Sequence, residues 1–237
     1  MRIFEGISKS VNYLIDFLLP CSCIVCMKEI ENGLICADCL NLIEFPRSPL
    51  CPHCGRPIKD TKTCEFCRYE RNLDYGRAFS LYIPPADKLI HHLKYRGKTK
   101  LAEFFGIGMA GVLKNDYYLK GGDILIPVPL YWWKRLRRTY NQAELLAEVI
   151  KKETSIPVVN CLVRVKNTKT QTRLDNIKRQ ENVKNAFRLK RGYDINNKKV
   201  IIIDDVMTTG STIKECARVL KEAGAGEVYS LVAAITP

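Results

Sequence analysis

Residues 200–203 (Val-Ile-Ile-Ile) are an unbroken β-branched run, apolar on both faces, which predicts a strand buried in a parallel sheet with helices on either side. The run stops at two carboxylates, Asp204 and Asp205, and continues through Thr208-Thr209-Gly210-Ser211-Thr212 into Ile213, Ala217, Val219 and Leu220, spaced as a helix up to Gly224. A second buried strand is expected in 123–130 (D-I-L-I-P-V-P-L), followed by Lys134, Arg135, Arg137 and Arg138 and then by a helix over 145–152. Asn141 with Glu144 three residues on is close to a capping box for that helix. Strands are expected in 75–83, 158–165 and 228–235, the last closing the sheet, and helices in 87–94 and 101–113. Gly106, Gly108 and Gly111 inside the second of these helices imply close packing. Strand alternating with helix in this way predicts an α/β fold with a doubly wound, mostly parallel sheet.

The first 70 residues read differently. Residues 1–20 place Ile3, Phe4, Ile7, Val11, Leu14, Ile15, Leu18 and Leu19 at helical spacing before Pro20, so an amphipathic helix is expected, docked on its own protein or on a partner or membrane surface. Glu5, Lys9 and Asp16 interrupt the apolar run, which argues against a secretory signal, and no segment reaches the roughly 18 apolar residues of a membrane span. Residues 21–70 carry nine of the 11 cysteines. Eight form Cys-x-x-Cys pairs, Cys23/Cys26, Cys36/Cys39, Cys51/Cys54 and Cys64/Cys67, and each cysteine of the first two pairs recurs 28 positions later. This is an internal duplication. Two residues between cysteines let a tight turn direct both sulfurs at one metal, and two such turns complete a tetrahedral four-thiolate zinc site. Two zinc ions are expected, with every position filled by protein and therefore structural. Equal nine-residue spacers favour sequential pairing, and a cross-braced pairing stays open. Cys21 is a spare thiol able to replace Cys23, and His53 is read as a turn residue. Residues 71–237 make the second domain, in which Cys161 reads as a small buried hydrophobe and His91 and His92 as ordinary polar residues.

The formal charge of +13 changes the picture by favouring anionic partners. Thiolate coordination of two zinc ions lowers it only to about +9. Small hydroxyl residues and a glycine between strand and helix let backbone amides converge on a phosphate. Carboxylates beside such a cradle are repulsive unless the ligand offers hydroxyls to them, so residues 200–216 point to a sugar phosphate. A Walker-type site is excluded because the loop lacks the Gly-Lys pair. The four basic residues after the second strand face a helix N-terminus and suit a multiply charged anion. Segment 166–184 is long and polar; 164–191 holds ten Lys and Arg against two acids and reads as a lid or a nucleic-acid contact. Trp132 and Trp133 beside Lys134 and Arg135 read either as core packing or as a base-stacking surface.

The stretch 203–212 (I-D-D-V-M-T-T-G-S-T) closely resembles the phosphoribosyl-pyrophosphate (PRPP) loop of type I phosphoribosyltransferases. The Cys-x-x-Cys pairs, K-Y-R-G-K (94–98), I-P-V-P-L (126–130), Arg137-Arg138 with N-Q-A-E-L-L-A (141–147), Q-T-R-L (171–174) with Arg179 and Asn182-Val183, and the 203–212 stretch resemble, in this order, the ComF family from about Leu18 onward. The resemblance implies a type I phosphoribosyltransferase fold with an N-terminal zinc-binding module. It implies that Asp204 and Asp205 hold the ribose hydroxyls and carry the catalytic role, and that Thr208, Thr209, Gly210, Ser211 and Thr212 hold the 5′-phosphate. Arg135 and Arg138 would face pyrophosphate, Gln171, Arg179 and Asn182 would belong to a mobile loop, and Mg²⁺ would accompany PRPP. The family has Gly-Phe where this chain has Thr139-Tyr140, which matters at Thr139 if its backbone takes a positive φ.

Two functions follow from the resemblance. One is a PRPP-binding protein of natural transformation that handles internalised single-stranded DNA, with other competence proteins as partners. The other is an active phosphoribosyltransferase, a glycosyl transfer from PRPP to a base or amine, in nucleotide metabolism. The expected location is the cytoplasm, with membrane association only through partners.

Overall fold

The computed structural model describes residues 21–59, 64–67, 72–166 and 183–237. The helix expected in 1–20 and residues 167–182 of the basic segment lie outside the described residues, as do the side chains of Lys134 and Arg137. The chain divides into two compact units, Met1–Ile43 and Glu44–Pro237. The division falls between the two halves of the cysteine duplication.

The duplication is structural as well as numerical. In the first half Ser22 bridges Glu29, Cys23 N donates to Lys28 O at 2.8 Å and Met27 N to Cys23 O at 2.8 Å. In the second, Leu50 bridges Pro57, Cys51 N donates to Arg56 O at 2.8 Å and Gly55 N to Cys51 O at 2.8 Å. Met27 and Gly55, the residues that close each turn, both have positive φ, 63° and 74°. In the first unit the short helix α1 (Ala37–Asn41) then starts at Cys36, whose sulfur accepts from Cys39 N.

In the second unit β1 (Tyr75–Leu81) leads to helices α2 (Ala86–Tyr95) and α3 (Leu101–Asn115) and strand β2 (Ile124–Pro127). Helices α4 (Trp132–Arg138) and α5 (Gln142–Thr154) precede the short strands β3 (Leu162–Arg164) and β4 (Phe187–Leu189). The long strand β5 (Lys199–Met207), helix α6 (Ser211–Glu222) and strand β6 (Glu227–Ile235) follow. A four-stranded sheet has the order β1-β6-β5-β2 with every pairing parallel, which confirms the expected α/β class. The all-apolar runs explain it: Val200 to Ile203 and Leu231 to Ile235 are fully buried, as central strands covered on both faces must be.

Two expectations are corrected. β6 lies between β1 and β5 and does not close the sheet, since its apolar run suits an interior position. Residues 158–165 do not form one strand of that sheet. Val158 makes a single parallel bridge to Leu125, while β3 turns away to pair antiparallel with β4. The glycines of α3 behave as expected at two positions: a Cβ on Gly106 would stand 2.6 Å from Val149 of α5, and one on Gly108 would strike the Phe79 ring, whereas Gly111 faces open space.

Candidate functional site

The site grows from a mismatch in strand length. β2 pairs with β5 only as far as Pro127 opposite Ile203, with Val128 N donating to Ile203 O at 2.9 Å as the final link. β5 runs on to Met207, supported by β6 alone. Asp204 and Asp205 are the first residues on this unsupported stretch. The Asp205 amide, next on the bare edge, donates to Asp204 Oδ1 at 2.8 Å, so the carboxylate replaces the missing strand. Past Met207 the chain turns through Thr208 and Thr209 to Gly210, whose φ of 76° favours glycine. Helix α6 begins at Ser211, so the predicted cradle is a strand-to-helix turn with the helix N-terminus at its end. Thr209 Oγ1 and Ser211 Oγ lie 2.8 Å apart within it.

Adjacent strand residues face opposite sides of a sheet, and the two acids have different neighbours. Asp205 is paired to Lys94 at the end of α2, Nζ to Oδ1 2.8 Å, with both side chains largely buried. Asp204 lies among Arg164 of β3 and Cys216 of α6. Burial, then the charge of Asp205, raises the Asp204 carboxyl to about 7, against the opposing pull of Lys94 and Arg164. Lys94 is held protonated: burial opposes its charge, but Asp205 and then Asp204 outweigh burial and raise its pKa. Burial lowers the Arg164 pKa and pushes the Cys216 thiol well up, leaving that sulfur a neutral buried group.

The predicted pyrophosphate side is a short helix, α4, and not a loop. It ends at Thr139 with φ 66°, so a β-branched residue does occupy the position where the family pattern has glycine. Asn141 caps α5 by accepting from Ala143 N at 3.1 Å and donates to Val128 O at 3.0 Å. Glu144 does not complete a capping box, being 3.4 Å from Arg135. The end of α2 ties this side to the acids. Tyr140 Oη donates to Leu93 O, the Arg138 guanidinium stacks 4.5 Å over the Tyr95 ring, and Lys94 between them holds Asp205. Arg138 is thereby tied to the end of α2, at the residue next in sequence to the lysine that holds Asp205. Arg135 is directed elsewhere: its side chain is 63% exposed, and with Tyr140, Asn141, Glu144 and Asn160 it lines a shallow cavity of about 300 Å³ that neither acid lines. Gln171, Arg179 and Asn182 lie outside the described residues. Trp132 and Trp133 are 57% and 58% exposed, which overturns the core-packing reading.

Neither Lys94 nor Arg164 is singled out by the sequence as a neighbour of the acid pair; Arg164 enters only as part of the basic run 164–191. Lys94 was visible as the head of K-Y-R-G-K, but only the fold shows that it meets Asp205.

Both cysteine groups are assembled, sequentially and not cross-braced: Cys23/Cys26/Cys36/Cys39 and Cys51/Cys54/Cys64/Cys67, with the sulfurs of each group within 4.8 Å of one another. A tetrahedral ion with Zn–S bonds of about 2.3 Å has S···S edges of roughly 3.8 Å. Cys26 to Cys36 at 3.7 Å and Cys54 to Cys64 at 3.6 Å fit that edge. Amides of Cys36 and Cys39 point at the sulfurs of Cys23 and Cys36, both 3.4 Å away, as donors to thiolates. These are two structural zinc sites. Cys21 is exposed and belongs to neither, and His53 Nδ1 sits 2.9 Å from Leu73 O, not among the sulfurs.

A family model described as a double zinc ribbon domain matches residues 14–68, and one described as a phosphoribosyl transferase domain matches 142–235. The protein is thus a double zinc ribbon joined to a phosphoribosyltransferase-type α/β fold. Competence protein F of Haemophilus influenzae is 34% identical over 87% of this chain and 93% of its own length. The DNA utilization protein YhgH of Escherichia coli O157:H7 is 31% identical over 89% of this chain and 95% of its own. Competence protein ComFC of Bacillus subtilis is 26% identical over 80% and 79%. The chain belongs to the competence protein F family.

Proposed function

We propose that the chain binds Mg²⁺-PRPP at the open edge of β5 and uses that site in the competence and DNA utilization for which its relatives are named. The observation that carries the reading is the pair Asp204 and Asp205 on an unpaired strand edge, next to a hydroxyl-lined helix N-terminus and a lysine. Ribose hydroxyls donate to the carboxylates, and the 5′-phosphate accepts from the amides and hydroxyls of residues 208–212. The diphosphate lies toward Lys94 and Arg138. Without ligand Lys94 neutralises Asp205; with ligand bound, Asp204 and Asp205 would hold the ribose and its Mg²⁺, and Lys94 would face the leaving diphosphate. Mg²⁺ suits this because it binds through carboxylates, water and phosphate oxygens. If an acceptor is present, it displaces pyrophosphate at C1 of the ribose, and the protein's share is to hold the sugar in line and neutralise the departing charge. Calorimetry with PRPP and Mg²⁺ tests the reading: the wild type should bind, and Asp204→Asn with Asp205→Asn should abolish binding. Undiminished binding by the double variant overturns the site.

A second reading, compatible with the first, is supported by the exposed Trp132-Trp133 pair on a helix whose sequence, W-W-K-R-L-R-R, holds four cations and no acid. Aromatic faces interleaved with cations suit single-stranded nucleic acid, whose bases stack and whose phosphates pair. The names of the relatives, competence protein and DNA utilization protein, favour the same partner.

A further inference from the structure

Among the positions at which the two zinc ribbon halves differ, one stands apart by its contacts. In the first half the residue after the turn is Lys28, exposed and paired to Asp38 at 3.2 Å within its own unit. Its counterpart 28 residues on is Arg56, only 5% exposed. The Arg56 guanidinium donates from Nη1 to Thr236 Oγ1 at 2.8 Å, to Pro237 O at 2.9 Å and to Thr236 O, and from Nη2 to Thr208 O. Thr208 is the first residue of the phosphate loop. Its Thr208 and Thr236 partners are carbonyl and hydroxyl oxygens, while Nε is buried with no hydrogen-bond partner among the described residues.

The other arm of the same zinc site reaches the other end of the loop. Phe66 lies between the ligands Cys64 and Cys67; its ring packs 4.4 Å from the Arg56 guanidinium, and its carbonyl accepts from Lys214 Nζ. Lys214 is in the first turn of α6, where its own amide bonds Gly210 O at 2.9 Å. The zinc site is itself seated on the sheet. Gly76 N of β1 donates to Pro52 O at 3.2 Å, and a Cβ on Gly55 would come within 2.7 Å of Gly76 O, so the turn lies backbone to backbone on β1.

We propose that the second zinc site sets the shape of the phosphate loop, with Arg56 and Lys214 as positioning residues that clamp its two ends. Arg56 is two residues from Cys54, and Phe66 is flanked by ligands on both sides, so coordination fixes both anchors. Loss of that zinc frees Thr208 and the first turn of α6, and the 5′-phosphate cradle opens. In the first zinc site the counterpart Lys28 pairs with Asp38 of its own unit. The proposal rests on the reading of 208–212 as a phosphate cradle, and its test separates the two.

In the full-length protein, hydrogen exchange over residues 206–212 without ligand should rise about tenfold in Arg56→Met and in Lys214→Met, while zinc content stays at two per chain. Affinity for ribose 5-phosphate should fall about tenfold in both variants, with affinity for inorganic pyrophosphate unchanged, a split that general destabilisation would not give. Cys64→Ser should raise exchange in the loop and Cys36→Ser should not. Unchanged loop exchange in both clamp variants, or equal effects of the two cysteine variants, overturns the proposal. A wild type that binds neither ribose 5-phosphate nor PRPP would refute the ligand reading, and the exchange data would still decide the clamp.

Discussion

Asp204 is the residue at which stability and binding pull apart. Its folded pKa of about 7 exceeds the ordinary carboxylate value of 3.8, so between those pH values the native state binds more protons than the unfolded one. Stability from this group is therefore complete below the unfolded value and is lost as pH rises through the folded one. Asp204→Asn removes the ionisable group: at pH 8 the variant should be more stable by on the order of 1–3 kcal/mol, and the difference should vanish near pH 4. Urea denaturation at the two pH values checks this. The same variant should lose PRPP binding, because an amide cannot accept as a carboxylate does. Thr139 is a second such residue. Its φ of 66° is unfavourable for a β-branched side chain. Thr139→Gly should stabilise the protein by about 0.5–1 kcal/mol, the relief of strain exceeding the entropy cost of glycine, as read from the denaturation midpoint.

At the scale of elements, the strand-turn-helix from Val200 to Gly224 was legible because its signals are local: an apolar run, two acids, a hydroxyl-rich turn and a helical repeat. Sequential zinc pairing was favoured because the spacing inside each half is identical. What the chain does not display locally is which strand neighbours which. β6 and β5 have the same apolar pattern, and only the folded order puts β6 inside. Residues 158–165 look like one strand, yet only the first two reach the sheet, Val158 by its bridge to Leu125 and Val159 by its amide to Leu125 O. Arg56 and Lys94 were hidden for a related reason, since their partners, Thr208 and Asp205, are more than a hundred residues away. The seating of the second zinc turn on β1 gives a prediction of its own. A Cβ on Gly76 would lie 2.6 Å from Ser230 Oγ and 2.7 Å from His53 O, so Gly76→Ala should cost about 2 kcal/mol. Thermal unfolding with parallel zinc-release measurements should show the second zinc lost earlier than in the wild type.

For the molecule as a whole, the excess of basic residues and the exposed tryptophans should divide nucleic-acid binding into two separable parts. Affinity for single-stranded DNA should fall steeply as salt rises, by the release of condensed counterions. Trp132→Ala with Trp133→Ala should weaken binding by about 1–3 kcal/mol per stacked base and leave the salt slope unchanged. Neutralising Arg135 and Arg138 should reduce the slope. Fluorescence anisotropy across a salt series distinguishes these outcomes, and a flat salt response would refute the DNA reading. Competition with PRPP would then tell whether Arg138 serves both ligands.

Trp132 and Trp133 are also the only two tryptophans in the chain, and both stand in solvent on the helix that leads to Arg138. The protein therefore carries an unlabelled optical reporter on α4. Native emission should be red-shifted like that of a hydrated indole, quenched readily by iodide, and should move to the blue when a ligand or a strand of bases covers α4.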